Sequence, residues 1–520
     1  MAEIEASPQH SIMIPKQNAV AMPHSGNGGW APRLAQEARL RELEVSLARE
    51  PAHSNTIERE IERAVLLAAV NRRTEAQGAF IDILRKAPTH FSALNEFGTL
   101  LANMGAIDAA CRVYSEAILH HPENPLARVN LANLLLRANR YQDAREHYEA
   151  ALRTDPDHAP AHQGLGAVLA DLGDRDGAHA HFRKGFRGHA VSTLPYRGDK
   201  PPVTLLQLVS SGGGNIPTAL FLDDTIFATT VVVADHLEPG ASLPPHQLIF
   251  NAIGDADLCR PALLAAKRLT ASAKVPVIND PRAVMKTSRI DNSTRLRKLP
   301  GVVTARTVAI ERDSLAGSNG ARRLAETGFR FPLLLRSPGY HTGRNFILVA
   351  DAADLPAAVA GLPGEELLAI EYLDARGQDG NARKYRVMMI GGRLYPMHLA
   401  ISQNWMVHYF TSDMAEQSDH RAEEAKFLAD MPGTLGAKAM TALGGIKDTL
   451  GLDYAGIDFG IGPNGDLLLF EANATMVIAP PNQDPRWIYR RSAIDNILAA
   501  AVAMVLQKSS SVVAGSSPFV

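Results

Sequence analysis

Two cysteines in 520 residues, Cys111 and Cys259, are too few and too far apart for a disulfide framework or a thiolate metal site. A reducing cytoplasm is the compartment this implies. Charge of one sign is also lacking: 53 basic and 55 acidic residues leave a formal net charge of -2, so no global field draws the chain to nucleic acid or to an anionic membrane. Long apolar runs are missing too. The most apolar helical stretch, Ala493 to Leu506, carries Asp495 and Asn496 and is too short to span a bilayer, which takes about 20 apolar residues. The N-terminus has no basic start followed by an apolar core. A soluble protein is expected, with neither nucleic acid nor membrane as partner.

Apolar residues are plentiful, 46% over a length that supports three or four structural units. Residues 1–32, rich in Pro, Gly, Ser, His and Asn without an apolar period, are expected to be disordered, and 33–50 read as a charged amphipathic helix. A repeat then takes over. Ala76, Ala110, Ala144 and Ala178 recur every 34 residues, each followed four residues later by an aromatic: Phe80, Tyr114, Tyr148 and Phe182. Ala64, Gly98, Ala132 and Gly166 keep the same period, and Pro88, Pro122 and Pro156 close the units. The pattern resembles the tetratricopeptide repeat (TPR), which implies paired antiparallel helices stacked as an all-α solenoid within residues 33–190. Such an array offers a surface for a peptide, a protein or another subunit, a second copy of the chain included. Asn95, Asn130, Asn133 and Arg137 are candidates for hydrogen-bonding an extended chain there, with plain solvated helix faces as the alternative.

A Gly- and Pro-bearing linker, 191–202, leads into strands expected at 204–210, 228–236, 245–253 and 274–280, with the helix RPALLAAKRLT between the last two. That alternation implies a small parallel α/β domain over 203–282. Its SGGGNIP turn is not the dinucleotide fingerprint; it either brings backbone N–H groups to a ligand or simply turns the chain. Residues 283–370 contain a strand ending in Arg336, a loop with Gly339, His341, Thr342 and Gly343, and a return strand. A cationic side chain beside a glycine loop is what a closing phosphate lid needs. Residues 371–507 begin with Glu371, Tyr372, Leu373 and Asp374, continue with a hairpin turning at Gly391-Gly392 that carries Lys384 and Arg386 on one face, and end in a helix. Residues 508–520 read as a flexible tail.

The stretch 454–476, YAGIDFGIGPNGDLLLFEANATM, carries the most chemistry. Asn464-Gly465 is a two-residue turn signal, which pairs Ile457 with Ala472, Phe459 with Phe470 and Ile461 with Leu468 on one face. On the other face Asp458 meets Glu471, with Asn473 beyond it. Carboxylates directly opposite one another destabilise a strand pair, so a cation must compensate. Two carboxylates and a carboxamide suit Mg²⁺ bound together with phosphates; nearby Lys or Arg is the other solution.

Lid, hinge-like EYLD, basic strand and D-x12-E-x-N hairpin, in this order after an α/β domain, resemble the ATP-grasp superfamily, near glutathione synthetase, D-alanine-D-alanine ligase and the RimK-like ligases. The fold class implied is multidomain, a TPR solenoid followed by an α+β ATP-grasp fold over about 203–507. The resemblance implies Mg²⁺ on Asp458, Glu471 and Asn473, ATP phosphates on Arg336 and Lys384 under Gly339 and Gly343, and adenine and ribose along Glu371 to Asp374. Two departures stand out. Asp291-Asn292 replaces a D-K pair, with Lys286, Arg295 and Arg297 as candidate substitutes; Gly456 stands where D-alanine-D-alanine ligases carry an arginine, with Arg386 as its replacement. His398 and His408 are candidates for accepting an amine's proton, and Arg486, Arg490 and Arg491 for holding a substrate carboxylate. The activity implied is a carboxylate-amine ligase working through an acyl phosphate; the alternatives are a TPR scaffold with a degenerate nucleotide domain and phosphoryl transfer to another acceptor.

Overall fold

The computed structural model describes residues 32–49, 56–317, 319–339, 343, 345–409 and 412–510. The disorder expected before Pro32 and the lid residues His341 and Thr342 lie outside the described residues. The chain divides into two compact units, residues 1–213 with 222–247, and residues 214–221 with 248–520.

The first unit is helical up to residue 185: α1 (Pro32–Arg49), α2 (Thr56–Ala69), α3 (Arg73–Lys86), α4 (Phe91–Asn103), α5 (Ile107–His120), α6 (Pro125–Arg137), α7 (Tyr141–Thr154), α8 (Ala159–Leu172) and α9 (Arg175–Gly185). From α3 onward each alternate helix starts 34 residues after its counterpart, as the sequence period requires. The repeated alanines are 0–4% exposed and the repeated aromatics likewise, so alanine and ring fill the same layer in every unit. A Cβ on Gly98 would lie 2.6 Å from the Tyr114 ring, and one on Gly166 2.7 Å from Phe182, which is why the partner position is small. The turns inside the pairs also keep the period: Asn71, Gly105, Asn139 and Gly173 all have φ between 58° and 90°, a conformation open to Gly and Asn.

The expected ligand-facing asparagines are not on offer. Asn95 and Asn130 are buried, with Asn130 Nδ2 donating to Asn95 Oδ1 at 2.8 Å, and Asn133 accepts from the Tyr148 hydroxyl. Buried amides satisfy one another between helices, and of the four candidates only Arg137 is exposed. After the helices come β1 (Val191–Thr193), within the expected linker, β2 (Val203–Val209) and β3 (Phe227–Val233); β3 pairs antiparallel with β1 and parallel with β2.

The second unit holds β4 (Leu248–Asn251) and β5 (Val277–Ile278), a parallel pair, so the stretch 203–282 is shared between the units. An antiparallel sheet of order β7-β10-β8-β9 follows, from β7 (Thr307–Glu311), β8 (Leu333–Arg336), β9 (Phe346–Val349) and β10 (Glu366–Glu371). Leu315, Leu324, Leu333, Leu335, Val359 and Leu367 form its core. The largest sheet, order β12-β11-β13-β14-β6, contains β6 (Val302–Thr304), β11 (Ala382–Ile390), β12 (Arg393–Ser402), β13 (Tyr454–Ile461) and β14 (Leu467–Asn473). Its β6, from the segment expected to be lid, runs parallel to β14. The last helix, Arg491–Ser510, continues into the segment expected as tail.

The β11–β12 turn at Gly391-Gly392 has positive φ at both residues, as expected. The β13–β14 hairpin differs. Asp458 faces Glu471 and Ile457 faces Ala472, but a bulge then shifts Phe459 onto Leu469 and Ile461 onto Leu467. Phe470 is left exposed, and the loop runs from Gly462 to Asp466, closed by Gly462 N–H donating to the Asp466 carbonyl. The one-residue slip keeps apolar side chains inward on both sides of the bulge.

Gly98→Val should cost about 1–3 kcal/mol through overpacking on Tyr114. Gly78→Ala, in a helix with open space around it, should leave stability equal or up to about 1 kcal/mol higher. Denaturant titration followed by far-ultraviolet circular dichroism checks both.

Candidate nucleotide and metal site

Four side chains stand in one row across the large sheet. His398 on β12 faces Arg386 on β11, Arg386 faces Asp458 on β13, and Asp458 faces Glu471 on β14. Directly opposed residues share a face, so strand register alone brings these together from four segments of the sequence. Both bulges of this sheet fall beside the row, between Arg386 and Val387 and between Asp458 and Phe459. Lys384, two residues before Arg386, and Asn473, two beyond Glu471, extend the same face.

Asp458 is 3% exposed and doubly partnered. Arg386 donates through Nε and Nη2 to its two oxygens at 2.6 and 2.7 Å, and Lys384 Nζ lies 3.4 Å away. Burial pushes this carboxyl up, but Arg386 and Lys384 outweigh it and hold Asp458 below the usual carboxylate range. His398 is driven the other way: burial first, then the Arg386 charge, keep its imidazole well below the ordinary histidine value and therefore neutral. Among the described residues its Nε2 has no hydrogen-bond partner, and its ring lies 4.7 Å from that of Tyr409.

Glu471 accepts from Arg289 Nη2 at 2.8 Å and from Asn473 Nδ2 at 2.9 Å, both on Oε1. Asn473 Oδ1 in turn accepts from Thr475. Arg289 reaches Asp257 Oδ2 with its other arm at 2.8 Å. Arg336, at the end of β8, feels these same charges. Burial and the neighbouring Arg289 push its guanidinium down to about 10, against the pull of Glu471, Asp255 and Asp257. Two guanidiniums that feel each other's charge favour an anion nearby.

Aromatic rings adjoin the cationic end. Arg336 Cζ lies 5.4 Å from the Phe346 centroid, Phe346 meets Trp405 edge-on at 5.4 Å, and Trp405 meets Tyr372 at 6.5 Å. A Cβ on Gly343 would lie 3.0 Å from Met406 Sδ, so the described part of the lid loop reaches the same wall. Of the hinge residues, Leu373 is half-buried, Glu371 is exposed and accepts from the Arg306 N–H, and Asp374 is chelated by Arg376 at the surface. Gly339 is half-buried beyond β8.

Other expectations need correction. Arg490 is buried in a polar cluster that meets the row through Tyr409, its Cζ 4.1 Å over the Tyr409 ring and its Nε 3.4 Å from Glu424, which also accepts from the Tyr409 and Tyr489 hydroxyls. A fully buried carboxylate needs that charge, so Arg490 neutralises Glu424. Arg486 pairs with Asp484, and Arg491 with Asp495. Lys286 is exposed, and the Arg295 guanidinium is taken up by the Lys286 and Thr449 carbonyls. Arg289, not among the candidates from the sequence, is the cation that pairs with Glu471. Its signal was position: it opens the helix Arg289–Leu296, whose Asn292 donates to the Ala472 carbonyl, next to Glu471. Gly456 also has a steric reason, because a Cβ there would lie 2.3 Å from Met476 Cγ.

Among the described residues no group of three or more His, Cys, Asp or Glu side chains gathers as a metal cluster. The donor set is instead two carboxylates and a carboxamide on adjacent strands, hard oxygens suited to Mg²⁺, with guanidinium groups now standing where cationic charge belongs.

Residues 95–159 and 135–186 match profiles of the tetratricopeptide repeat family. The chain therefore carries TPR repeats in a helical region, followed by a mixed α/β region. The TPR repeat-containing thioredoxin TTL4 of Arabidopsis thaliana is 34% identical over 85 residues, 16% of this chain and 12% of that protein. Protein FlbA of Caulobacter vibrioides is 29% identical over 109 residues, 21% of this chain and 18% of that protein, so this chain spans under a fifth of either relative. Among solved structures, MamA 41-end from Desulfovibrio magneticus RS-1 is 24% identical, covering 30% of this chain and 85% of that one at a TM-score of 0.26. A tetratricopeptide repeat protein from Parabacteroides merdae is 16% identical, covering 29% and 59% at 0.27. No helix among the described residues is long and apolar enough to cross a membrane.

Asp458→Ala strands a buried guanidinium and should cost about 3–5 kcal/mol. Glu471, whose side chain is 30% exposed, should cost no more than about 1 kcal/mol when replaced by Ala. Urea titrations of the two variants separate the buried pair from the accessible one.

Proposed function

We propose that the mixed α/β region is an ATP-grasp domain and that the protein is an ATP-dependent carboxylate-amine ligase whose TPR repeats dock a peptide or protein. The observation that carries this reading is the row His398–Arg386–Asp458–Glu471, whose Glu471 is within electrostatic reach of Arg336 on a second sheet. Mg²⁺-ATP would supply the γ-phosphoryl group that activates a carboxylate as its acyl phosphate. Asp458, Glu471 and Asn473 hold the cation; Arg289, Arg336 and Lys384 hold the phosphates. Phe346, Tyr372 and Trp405 supply aromatic surface for the base. Arg386, held between Asp458 and His398, would offset charge at the reacting carboxylate, while neutral His398, whose Nε2 has no partner among the described residues, would accept a hydrogen bond from the incoming amine. Gly339 and Gly343, both at positive φ, would let backbone approach the phosphates.

A scaffold with a degenerate nucleotide domain is the second reading, favoured by the ion pairs that both site carboxylates already make. Mass spectrometry of products from protein, Mg²⁺-ATP and a panel of carboxylates and amines decides between them. An amide product with ADP and phosphate, lost in Glu471→Ala, is expected; ATP binding with no turnover in the unchanged protein would establish the scaffold instead.

A further inference from the structure

We infer that Arg289 is a charge latch on the cation site: its guanidinium holds the Glu471 carboxylate in the nucleotide-free protein and gives it up only to a polyphosphate, so that divalent cation enters with nucleotide and not before it. The inference rests on the nucleotide reading of the site proposed above.

Four observations carry it. Arg289 Nη2 donates to Glu471 Oε1 at 2.8 Å, occupying the more accessible of the two site carboxylates. The opposite arm, Nη1, is held by Asp257 at 2.8 Å, and the Arg289 backbone N–H points at the same carboxylate. One arm therefore anchors while the other is exchangeable. The helix that carries Arg289 is fixed to the strand that carries Glu471 through Asn292 Nδ2 and the Ala472 carbonyl at 2.6 Å, which presets the distance between latch and carboxylate. Arg336 adds a second guanidinium whose charge opposes that of Arg289.

A planar guanidinium fork fits a carboxylate and a phosphate equally well in shape, so charge decides the partner. Glu471 offers Arg289 one negative charge already shared with Asn473, and the Arg289–Arg336 repulsion is opposed by the charges of Glu471, Asp255 and Asp257 alone. A triphosphate brings several negative charges to both arginines at once and relieves that repulsion. Glu471, once released, completes a hard-oxygen set with Asp458 and Asn473. Metal and nucleotide thus bind with positive coupling, each enhancing the other.

Mn²⁺ binding followed by electron paramagnetic resonance, with and without ATP, tests the latch when combined with ATP binding in EDTA. The unchanged protein should take up Mn²⁺ weakly alone and at least about tenfold more tightly with ATP. Arg289→Met should bind Mn²⁺ alone about tenfold more tightly than the unchanged protein, and metal-free ATP about tenfold more weakly. Opposite signs for the two ligands distinguish a latch from damage, which weakens both; weakening of both overturns the inference. If Arg289→Met does not fold, Arg289→Lys, with a compact ammonium in place of the fork, should shift both affinities in the same directions by less. Mn²⁺ uptake that needs ATP but is unchanged in the Arg289 variants leaves the proposed function standing and removes the latch. No Mn²⁺ uptake by any variant, with or without ATP, removes both.

Discussion

The bidentate pairing of Arg386 with Asp458 is the contact on which the rest of the second unit's site depends. Two opposite charges, each nearly out of reach of water, are tolerable only at good geometry, and these meet at 2.6 and 2.7 Å across neighbouring strands. That match pins β11 against β13 in one register, because a slip of one residue would turn one of the charges into the opposite face. Once the register is held, Lys384 is delivered to the same carboxylate and His398 to the neighbourhood of Arg386. The neutral state of His398 follows from its burial, reinforced by the adjacent guanidinium, which opposes a second positive charge.

Buried asparagines hold the elements around this centre. Asn279, 0% exposed with φ 55°, donates to the Asp453 carboxylate and the Tyr454 carbonyl and accepts from both backbone N–H groups. It ties the end of β5 to the start of β13. Asn251 reaches the Asn279 carbonyl, and Asn292 reaches Ala472 at the far end of the hairpin. A carboxamide can both donate and accept, so it fastens backbone to backbone without bringing a charge into the core. The Asn of the Asp291-Asn292 pair has a structural task of this kind: Asn292 braces the hairpin, while Arg289, one helical turn earlier, pairs with Glu471.

The helical unit follows a different logic. Each pair repeats the same alanine, the same aromatic and the same left-handed turn, so its core is built from nearest-neighbour contacts. Asn95 and Asn130 show the limit of reading surfaces from such a pattern. Their spacing places them on equivalent helices, and it is this equivalence that lets them bond to each other instead of to a ligand.

Period and composition alone were enough to place the helices, because a 34-residue repeat of small and aromatic residues admits one packing. The β11–β12 turn and the opposition of Asp458 to Glu471 were legible for a similar reason: glycine conformation and strand alternation are local rules. The bulge after Asp458 was not legible, since it is set by which side chains the neighbouring strands can bury. Nor was the partner of each charge. Arg289 lies 182 positions from Glu471, and Arg490, a candidate for a substrate carboxylate, has Glu424 as its partner. The chain itself determined which residues face together along each strand and helix. Which charge neutralises which was decided by tertiary structure, because Coulomb energy depends on distance and burial, and neither is a property of sequence spacing.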